Sequence, residues 1–205
     1  MTTGTPAWLL PDEPAPVRLM NTIWADTAGV HDELTDVAAL HGWLATVTDC
    51  YSVKSAEPSR DELTDALLLR DSLRRLAAYS TGDVREKAQS PVTEINDAVN
   101  AVNALLTDRS CTRLSVVGSQ LQAVTTPHAS PARSALADLG QEAVELLAGP
   151  AAVNLRACNA PGCVLYFVKS HPRREWCSEA CGNRARAARH YHRVRSRKHD
   201  GNRAP

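Results

Sequence analysis

Four cysteines near the C-terminus form two closely spaced pairs, Cys158 with Cys163 and Cys177 with Cys181. Four residues separate the first pair, three separate the second, and thirteen lie between the pairs. Short loops within a pair let two thiolates reach one metal ion, and the intervening segment can fold back to bring the second pair opposite. This spacing predicts a tetrahedral Zn²⁺ site with Zn–S distances of about 2.3 Å.

Four thiolates complete the coordination of such an ion and leave no position for water. We therefore expect one structural zinc ion rather than a catalytic one. A ligand set in which His171 replaces one cysteine is an alternative, although four thiols make it unnecessary. The other two cysteines, Cys50 and Cys111, stand alone and are expected to be small buried hydrophobic residues.

Positive charge is concentrated in the same part of the chain. From Leu155 onward twelve Lys and Arg accompany three Asp and Glu, whereas residues 1–154 hold eleven basic and twenty acidic residues. These balances of +9 and −9 cancel in a net charge of zero. Such asymmetry is typical of a chain of which one part binds a polyanion. The alternative is two solvated surfaces that attract each other.

The elements that must position the thiols follow from residues 154–201. Residues 154–157 and the apolar run 164–168 are predicted strands, and residues 159–162 form a turn in which Gly162 supplies an unusual backbone conformation. Phe167 and Trp176 are expected to shield the metal. Ser178 is a candidate N-cap for a helix, which places Cys181 in the first turn. This order predicts a treble-clef-like zinc finger.

The helix that begins near Glu179 is polar on nearly every side, so it gains little stability from burial. We therefore expect it to serve its function through its charge. Arginine outnumbers lysine ten to two after residue 155, which favours bidentate contacts with phosphate or guanine. At 100° per residue, four of the arginines share one face. The predicted nucleic-acid-binding residues are Arg184, Arg186, Arg189, His190, Arg193 and Arg197. The alternative is a solvated helix docked on the acidic N-terminal half.

Upstream of the finger, apolar residues recur at helical spacing. Ser59 and Glu62 form a capping box that opens the longest predicted helix. The predicted helices cover residues 17–24, 35–47, 59–79, 90–106 and 130–148. Two β-prone runs, residues 112–117 and 120–125, are joined by Gly118 and Ser119, which suits a type II′ hairpin.

Several polar residues lie beside the apolar stripes of these helices. On the third helix Arg70, Arg74 and Arg75 are expected to be solvated or paired with Asp71. On the fourth helix three asparagines recur at i, i+4 and i+7, although Asn is a poor helix former. Asn96, Asn100 and Asn103 are therefore candidate ligand-binding residues, and the alternative is a solvated edge beside the core.

Residues 176–184 read WCSEACGNR and resemble the signature of the CGNR zinc-finger family. The resemblance extends over about fifty residues, with Lys169 standing where family members commonly carry an acidic residue. It implies four cysteine ligands and a DNA-binding, transcription-regulating role. For the motif it implies a close backbone approach at Gly182, a side-chain amide hydrogen bond inside the finger for Asn183, and a phosphate or structural contact for Arg184.

Residues 19–22, LMNT, and the order of the helices resemble the domain that usually precedes this finger, an ABATE-type stress-induced transcription regulator domain. Asn21 lies in this segment and joins the candidate ligand-binding residues. The expected fold is mainly α with a small β-hairpin (α+β), a helical N-terminal domain followed by the finger. The expected parts are an irregular lead-in at 1–16, the helical domain at 17–150, the finger at 151–199 and a tail at 200–205.

The resulting hypothesis is a zinc-dependent, DNA-binding transcription regulator of the cytoplasm, whose N-terminal domain senses a small-molecule effector or mediates homodimerisation. No stretch approaches the ~18 apolar residues of a membrane span, and no signal peptide is recognisable. A zinc-stabilised module that binds protein or RNA is the second hypothesis. A nuclease with His171, His190 or His192 as base is the third, but only Glu175 and Glu179 lie nearby to hold a catalytic metal. The protein is therefore not expected to be an enzyme.

Overall fold

A computed structural model describes residues 10–109, 111–126 and 129–201 of the chain. The α-helices are α1 (Ala15–Met20), α2 (Val37–Val47), α3 (Arg60–Thr81), α4 (Ile95–Leu106), α5 (Pro131–Ala148) and α6 (Glu179–Gly201). Antiparallel pairs form between the strands β1 (Ile23–Ala25) and β2 (Val30–Asp32), β3 (Cys111–Val117) and β4 (Gln120–Thr126), and β5 (Leu155–Ala157) and β6 (Tyr166–Val168). The predicted class, mainly α with a small β-hairpin, is confirmed, and the pair of β1 and β2 is an addition to it.

Helix α3 lies at the centre and packs against α1, α4 and α5. The predicted capping box opens it: the Glu62 amide donates to Ser59 Oγ at 3.2 Å, and the Ser59 amide donates to Glu62 Oε2 at 2.6 Å. Gly82 ends the helix in the left-handed conformation, with φ 64°. The core formed by these helices includes Leu69, Leu73 and Ala77 of α3 and Leu136, Leu139 and Ala143 of α5.

The first helix differs from its predicted range of 17–24. It begins at Ala15, because Pro16 in the first turn has no amide that would need an intrahelical partner. It ends at Met20, where the Thr22 hydroxyl donates to the Leu19 carbonyl at 2.9 Å. Ile23 and Trp24 then enter β1 instead of continuing the helix. Residues 1–9 of the predicted lead-in and residues 202–205 of the predicted tail lie outside the described part of the chain.

The predicted start of α4 at Ser90 and Pro91 is wrong by one turn, since the helix begins at Ile95. The Ser90 hydroxyl donates to the Asp71 carbonyl at 2.7 Å and accepts from the Val92 amide at 3.1 Å, so it caps a turn against α3 rather than a helix. The buried face of α4 is formed by Ala98, Val102 and Leu105.

The arginines of α3 are more buried than predicted. Arg74 is only 2% exposed, and its guanidinium donates to the carbonyls of Met20 (2.9 Å), Ala88 (3.2 Å) and Val164 (3.4 Å). Its expected solvation is therefore wrong, because three carbonyls from distant segments meet at this point and require a donor. Burial lowers the pKa of Arg74.

Its neighbours Arg70 and Arg75 have other partners. Arg70 is buried and pairs with Asp71 at 3.0 Å, as predicted, and also with Asp32 at 2.6 Å. Arg75 stays half-buried and donates to the Thr93 carbonyl at 2.6 Å.

The predicted hairpin is confirmed as β3 and β4. Val117 lies opposite Gln120, so Gly118 and Ser119 form the two-residue turn, and Gly118 has φ 65°. The lone cysteines fare differently: Cys50 is exposed, contrary to prediction, and the side chain of Cys111 lies outside the described residues.

The finger shares its core with the helical domain. Leu155 of β5 and Tyr166 of β6 are at most 2% exposed and belong to the same apolar cluster as the helices, and β5 packs against α3. The 3₁₀ turn Pro150–Asn154 joins α5 to β5 directly. Among the described helices, none has the length and apolarity needed to cross a bilayer.

We predict that Arg74→Met lowers the free energy of unfolding by about 3 kcal/mol, because three buried carbonyls lose a charged donor. Urea denaturation of the zinc-loaded protein measures this. The matched control Arg75→Met, one position along the same helix, removes a single bond at a half-buried site and is expected to cost less than about 1 kcal/mol. Equal losses for the two variants would contradict the role of Arg74.

Candidate functional site

The first cysteine pair lies on a tight turn between β5 and β6. The Cys158 amide donates to the Leu165 carbonyl at 2.9 Å, and the Cys163 amide donates to the Ala160 carbonyl at 2.9 Å. Gly162 has φ 74°, a conformation that a side chain would strain, so the predicted role of this glycine in the turn is confirmed. The turn directs both thiols to the same side.

The second cysteine pair opens α6. The Cys181 amide donates to Ser178 Oγ at 3.3 Å, so Ser178 caps the helix and Cys181 falls in its first turn, as predicted. A Cβ at Gly182 would lie 3.1 Å from the Trp176 ring, so the glycine permits the close approach that the motif implies.

The four sulfurs fit one zinc ion. All four Sγ atoms lie within 4.8 Å of one another, with 3.9 Å between Cys163 and Cys177 and 3.4 Å between Cys177 and Cys181. A tetrahedron with Zn–S bonds of about 2.3 Å has S–S edges of about 3.8 Å. Each cysteine is at most 6% exposed, so the site is closed and the zinc it fits is structural.

The thiols are too crowded to be ionised together without a cation. Hydrogen bonding with Cys163 first, and with Cys177, lowers the pKa of Cys158 to about 7. Hydrogen bonding within the same cluster, led by Cys158, lowers the pKa of Cys181 and raises those of Cys163 and Cys177. Four mutually repelling thiolates become stable together when a divalent cation binds them.

His171 is not needed at the site. It lies on the surface, where its Nδ1 accepts from the Arg173 amide at 3.1 Å, and it is absent from the four-residue cluster. The alternative ligand set that included it is therefore excluded.

Apolar side chains cover the sulfurs. Phe167 and the partly buried Trp176 pack around them, which confirms the predicted shield. Leu10 and Trp24 join the same cluster from the N-terminal part of the chain. Sequence reasoning missed both, because no local pattern links them to a site some 150 residues away.

Arg85 connects the first cysteine pair to the helical domain through hydrogen bonds. One nitrogen, Nη1, donates to the carbonyls of Cys158 and Cys163, each at 2.8 Å. The other side of the guanidinium pairs with Asp83, at 2.7 and 2.6 Å, and Asp83 accepts from the Tyr166 hydroxyl at 2.7 Å. Burial acts to raise the pKa of Asp83, but the hydrogen bonds from Arg85 and Tyr166 outweigh it and hold this pKa below its usual value.

Arg174 connects Cys177 of the second pair to the segment before α1. It donates to the carbonyls of Val168 and Cys177, each at 3.0 Å, and its Cζ lies 4.9 Å from the centre of the Phe167 ring. Its Nη2 pairs with Glu13 at 2.6 Å, and Glu13 also accepts from the Val168 amide at 2.7 Å. The segment before α1 is thus bound to the finger.

The two polar residues of the motif act within the finger. Arg184 Nη2 lies 3.0 Å from Cys181 Sγ, a hydrogen bond that supports the thiolate. Asn183 Oδ1 accepts from Arg186 Nη2 at 2.5 Å. Arg184 therefore has the structural contact that the family resemblance allowed, while its place among the nucleic-acid-binding residues stays a prediction.

Beyond this first turn α6 carries the basic surface. Arg186, Arg189, His190 and Arg193 are exposed and line one shared surface depression, so the structure brings these predicted residues together. In the part of α6 that the structure describes, Ala185 is the last buried residue. The side chain of Arg197 lies outside the described residues.

Nothing in the described residues neutralises this surface. The ion pairs among the described residues include none of the described basic side chains of α6. This stretch of the helix is therefore not docked on acidic groups of the N-terminal half. The charge remains available to an external anion.

The four candidate asparagines do not form one site. Asn21 is completely buried, and its side-chain amide donates to the Tyr166 carbonyl and accepts from the Tyr166 amide, both at 2.9 Å. It acts as a strand partner of β6, which is a structural role rather than a ligand-binding one. Asn96, Asn100 and Asn103 lie exposed on α4, and their ligand role stays a prediction.

Comparison with known families agrees with this arrangement. Residues 13–150 match the ABATE family, described as "Putative stress-induced transcription regulator", and residues 154–194 match the CGNR zinc finger. The chain is thus similar over its helical part to the first family and over its finger to the second. A search of curated proteins finds no match.

We predict that Arg85→Met weakens zinc binding about 10- to 100-fold, because the carbonyls of two ligand cysteines lose their shared donor. Competition with a chromophoric chelator measures the affinity, and the charge-transfer absorption of the Co²⁺-loaded protein reports the ligand geometry. The control Lys87→Met removes an equal charge from a nearby exposed position. An unchanged affinity in Arg85→Met would contradict the proposed support.

Proposed function

The chain belongs to the ABATE family, and from this membership and its zinc finger we propose that it is a zinc-dependent, DNA-binding transcription regulator. One observation carries the proposal: an exposed row of basic side chains, Arg186, Arg189 and Arg193, that is anchored in the first turn of its helix by a zinc ligand. The closed metal site fixes where this row points.

Three properties of the row support DNA as its partner. First, the ion pairs of the described residues include none of these arginines, so a phosphate need displace no carboxylate. Second, an α-helix about 10–12 Å in diameter fits the major groove, which is about 12 Å wide. Third, arginine forms bidentate bonds with phosphate and with guanine, which suits both positioning and base recognition.

The charge of the remaining chain supports an orientation. Residues 1–154 carry a balance of −9, so DNA repels the helical domain and attracts the finger. We propose that the finger faces the duplex and that the helical domain stays on the far side. There it senses an effector connected with stress or mediates dimerisation, and it acts through α3, whose Arg74 reaches the Val164 carbonyl of the finger.

Reduced thiols are a condition of this function. Zinc binds thiolates, and the cytoplasm keeps cysteines reduced, so we place the protein there.

A module that binds RNA or an acidic protein is the second candidate. Tyr191 on α6 is 62% exposed and offers one ring on which a base can stack. Sequence-specific readers of single-stranded RNA commonly use several aromatic rings, so one ring favours duplex DNA. Competition between single-stranded RNA and duplex DNA for the zinc-loaded protein separates the candidates, and preference for RNA would overturn our proposal.

We further propose that the protein is not an enzyme. Its zinc ligands are four buried thiols, a set that leaves the metal no position for a reacting water. Plasmid DNA incubated with the protein and Mg²⁺ should stay intact, and cleavage that disappears on His190→Ala would overturn this statement.

We predict that replacing Arg189 and Arg193 together by Ala weakens duplex binding. The negative slope of log K against log salt concentration should become shallower by about 2, one unit for each lost phosphate contact. Fluorescence anisotropy with a labelled duplex at several salt concentrations measures both quantities. The control is the double variant Lys54→Ala and Arg60→Ala, which removes the same charge from exposed positions of the helical domain. Absence of duplex binding by wild-type zinc-loaded protein at low salt would refute DNA as the partner.

A further inference from the structure

The hairpin of β3 and β4 has one apolar face and one mainly polar face, which also carries Val117 and Val124. Residues that lie directly opposite each other in an antiparallel pair share a face. Leu114 lies opposite Ala123 and Val116 opposite Leu121, so these four form the apolar face. The polar face contains the pairs Arg113 with Val124, Ser115 with Gln122, and Val117 with Gln120.

The apolar face is open to solvent. Leu114 is 73% exposed, Val116 is 71% exposed and Leu121 is 69% exposed. The alternation of apolar and polar residues is that of a strand pair with one buried face, yet the described part of the chain leaves this face uncovered. An isolated two-stranded hairpin is only marginally stable in water, so the pattern points to a missing partner.

The edges of the hairpin are also unprotected. Proteins shield exposed strand edges with lysine, proline, bulges or inward-pointing charge. The register of the hairpin runs without interruption from Cys111 to Val117, and Arg113 is the one charged residue between positions 111 and 126. Neither edge therefore carries a usual barrier to association.

We propose that this hairpin is a dimerisation arm whose apolar face packs against the same face of a second copy of the chain. The lack of charge on this face indicates what binds it. The face has no cation that would bind DNA and no charge that would attract an acidic or basic protein surface. Its best complement is another uncharged apolar β-face, and a second copy supplies an identical one around a two-fold axis.

The area of the apolar faces fits a weak dimer, because these faces alone fall short of a stable interface. Burying the apolar faces of two copies removes on the order of 800 Å² of surface, against the roughly 1,200–2,000 Å² typical of stable interfaces. The hairpin edges and its turn supply further contact, since each seven-residue strand is about 24 Å long. The predicted self-association is therefore concentration-dependent rather than permanent.

The dimer also gives the basic helices a geometry. Two copies related by a two-fold axis present two copies of α6, which is the arrangement that reads two half-sites on DNA. This consequence depends on the proposed function, whereas the dimer itself does not.

Sedimentation equilibrium of the full-length, zinc-loaded protein over a range of concentrations tests the arm. We expect a monomer–dimer equilibrium for the wild type. Val116→Lys should weaken self-association at least about 100-fold, because it buries an unpaired charge in the interface. The matched control Gln122→Lys places the same charge on the polar face of the same hairpin and should leave the dimer intact.

Both positions are exposed in the single chain, so the variants should keep their fold, and circular dichroism and zinc content verify this. A wild type that stays monomeric at all concentrations would overturn the proposal. Equal loss of self-association in Val116→Lys and Gln122→Lys would overturn it as well, because the apolar face would not be the contact.

Discussion

The hydrogen bonds from buried and partly buried arginines to main-chain carbonyls are the interactions on which this structure depends. Arg85 donates to the carbonyls of Cys158 and Cys163, and Arg74 donates to the Val164 carbonyl. A short zinc finger has few backbone partners of its own, so unpaired carbonyls near its turns would be costly when buried. The helical domain supplies the missing donors from α3 and from the segment that follows it, and the two parts share one apolar core.

This dependence runs in both directions. Tyr166 of the finger lies in the core of the helical domain. Its backbone amide and carbonyl both form hydrogen bonds with the side-chain amide of Asn21. Zinc binding therefore contributes to the stability of the helical core that contains Tyr166 and not only to that of the finger. Arg74 of α3 also donates to the carbonyl of Val164, the residue after the ligand Cys163, so the helical domain contacts the backbone beside the metal site.

The metal ligands were predictable because their signal is local. The spacing of four cysteines, the Ser178 cap and Gly162 each act over a few residues, as does the capping box of α3. Arg74 and Asn21 were not predictable, because their partners lie far along the chain. A sequence pattern shows that Arg74 flanks an apolar stripe, but whether it is solvated depends on three distant carbonyls. The end of α1 was missed for the same reason, since periodicity alone cannot show where a helix gives way to a strand.

The described stretch of α6 beyond Ala185 is mostly exposed, and its arginines repel one another. A helix in this condition depends on its first turn, which Ser178, Cys181 and the zinc hold in place, and on an anion that neutralises its charge. DNA binding would supply that neutralisation and would extend the rigid helix outward from the metal. In the proposed function, the zinc fixes one end of a charged helix and the duplex would stabilise the other.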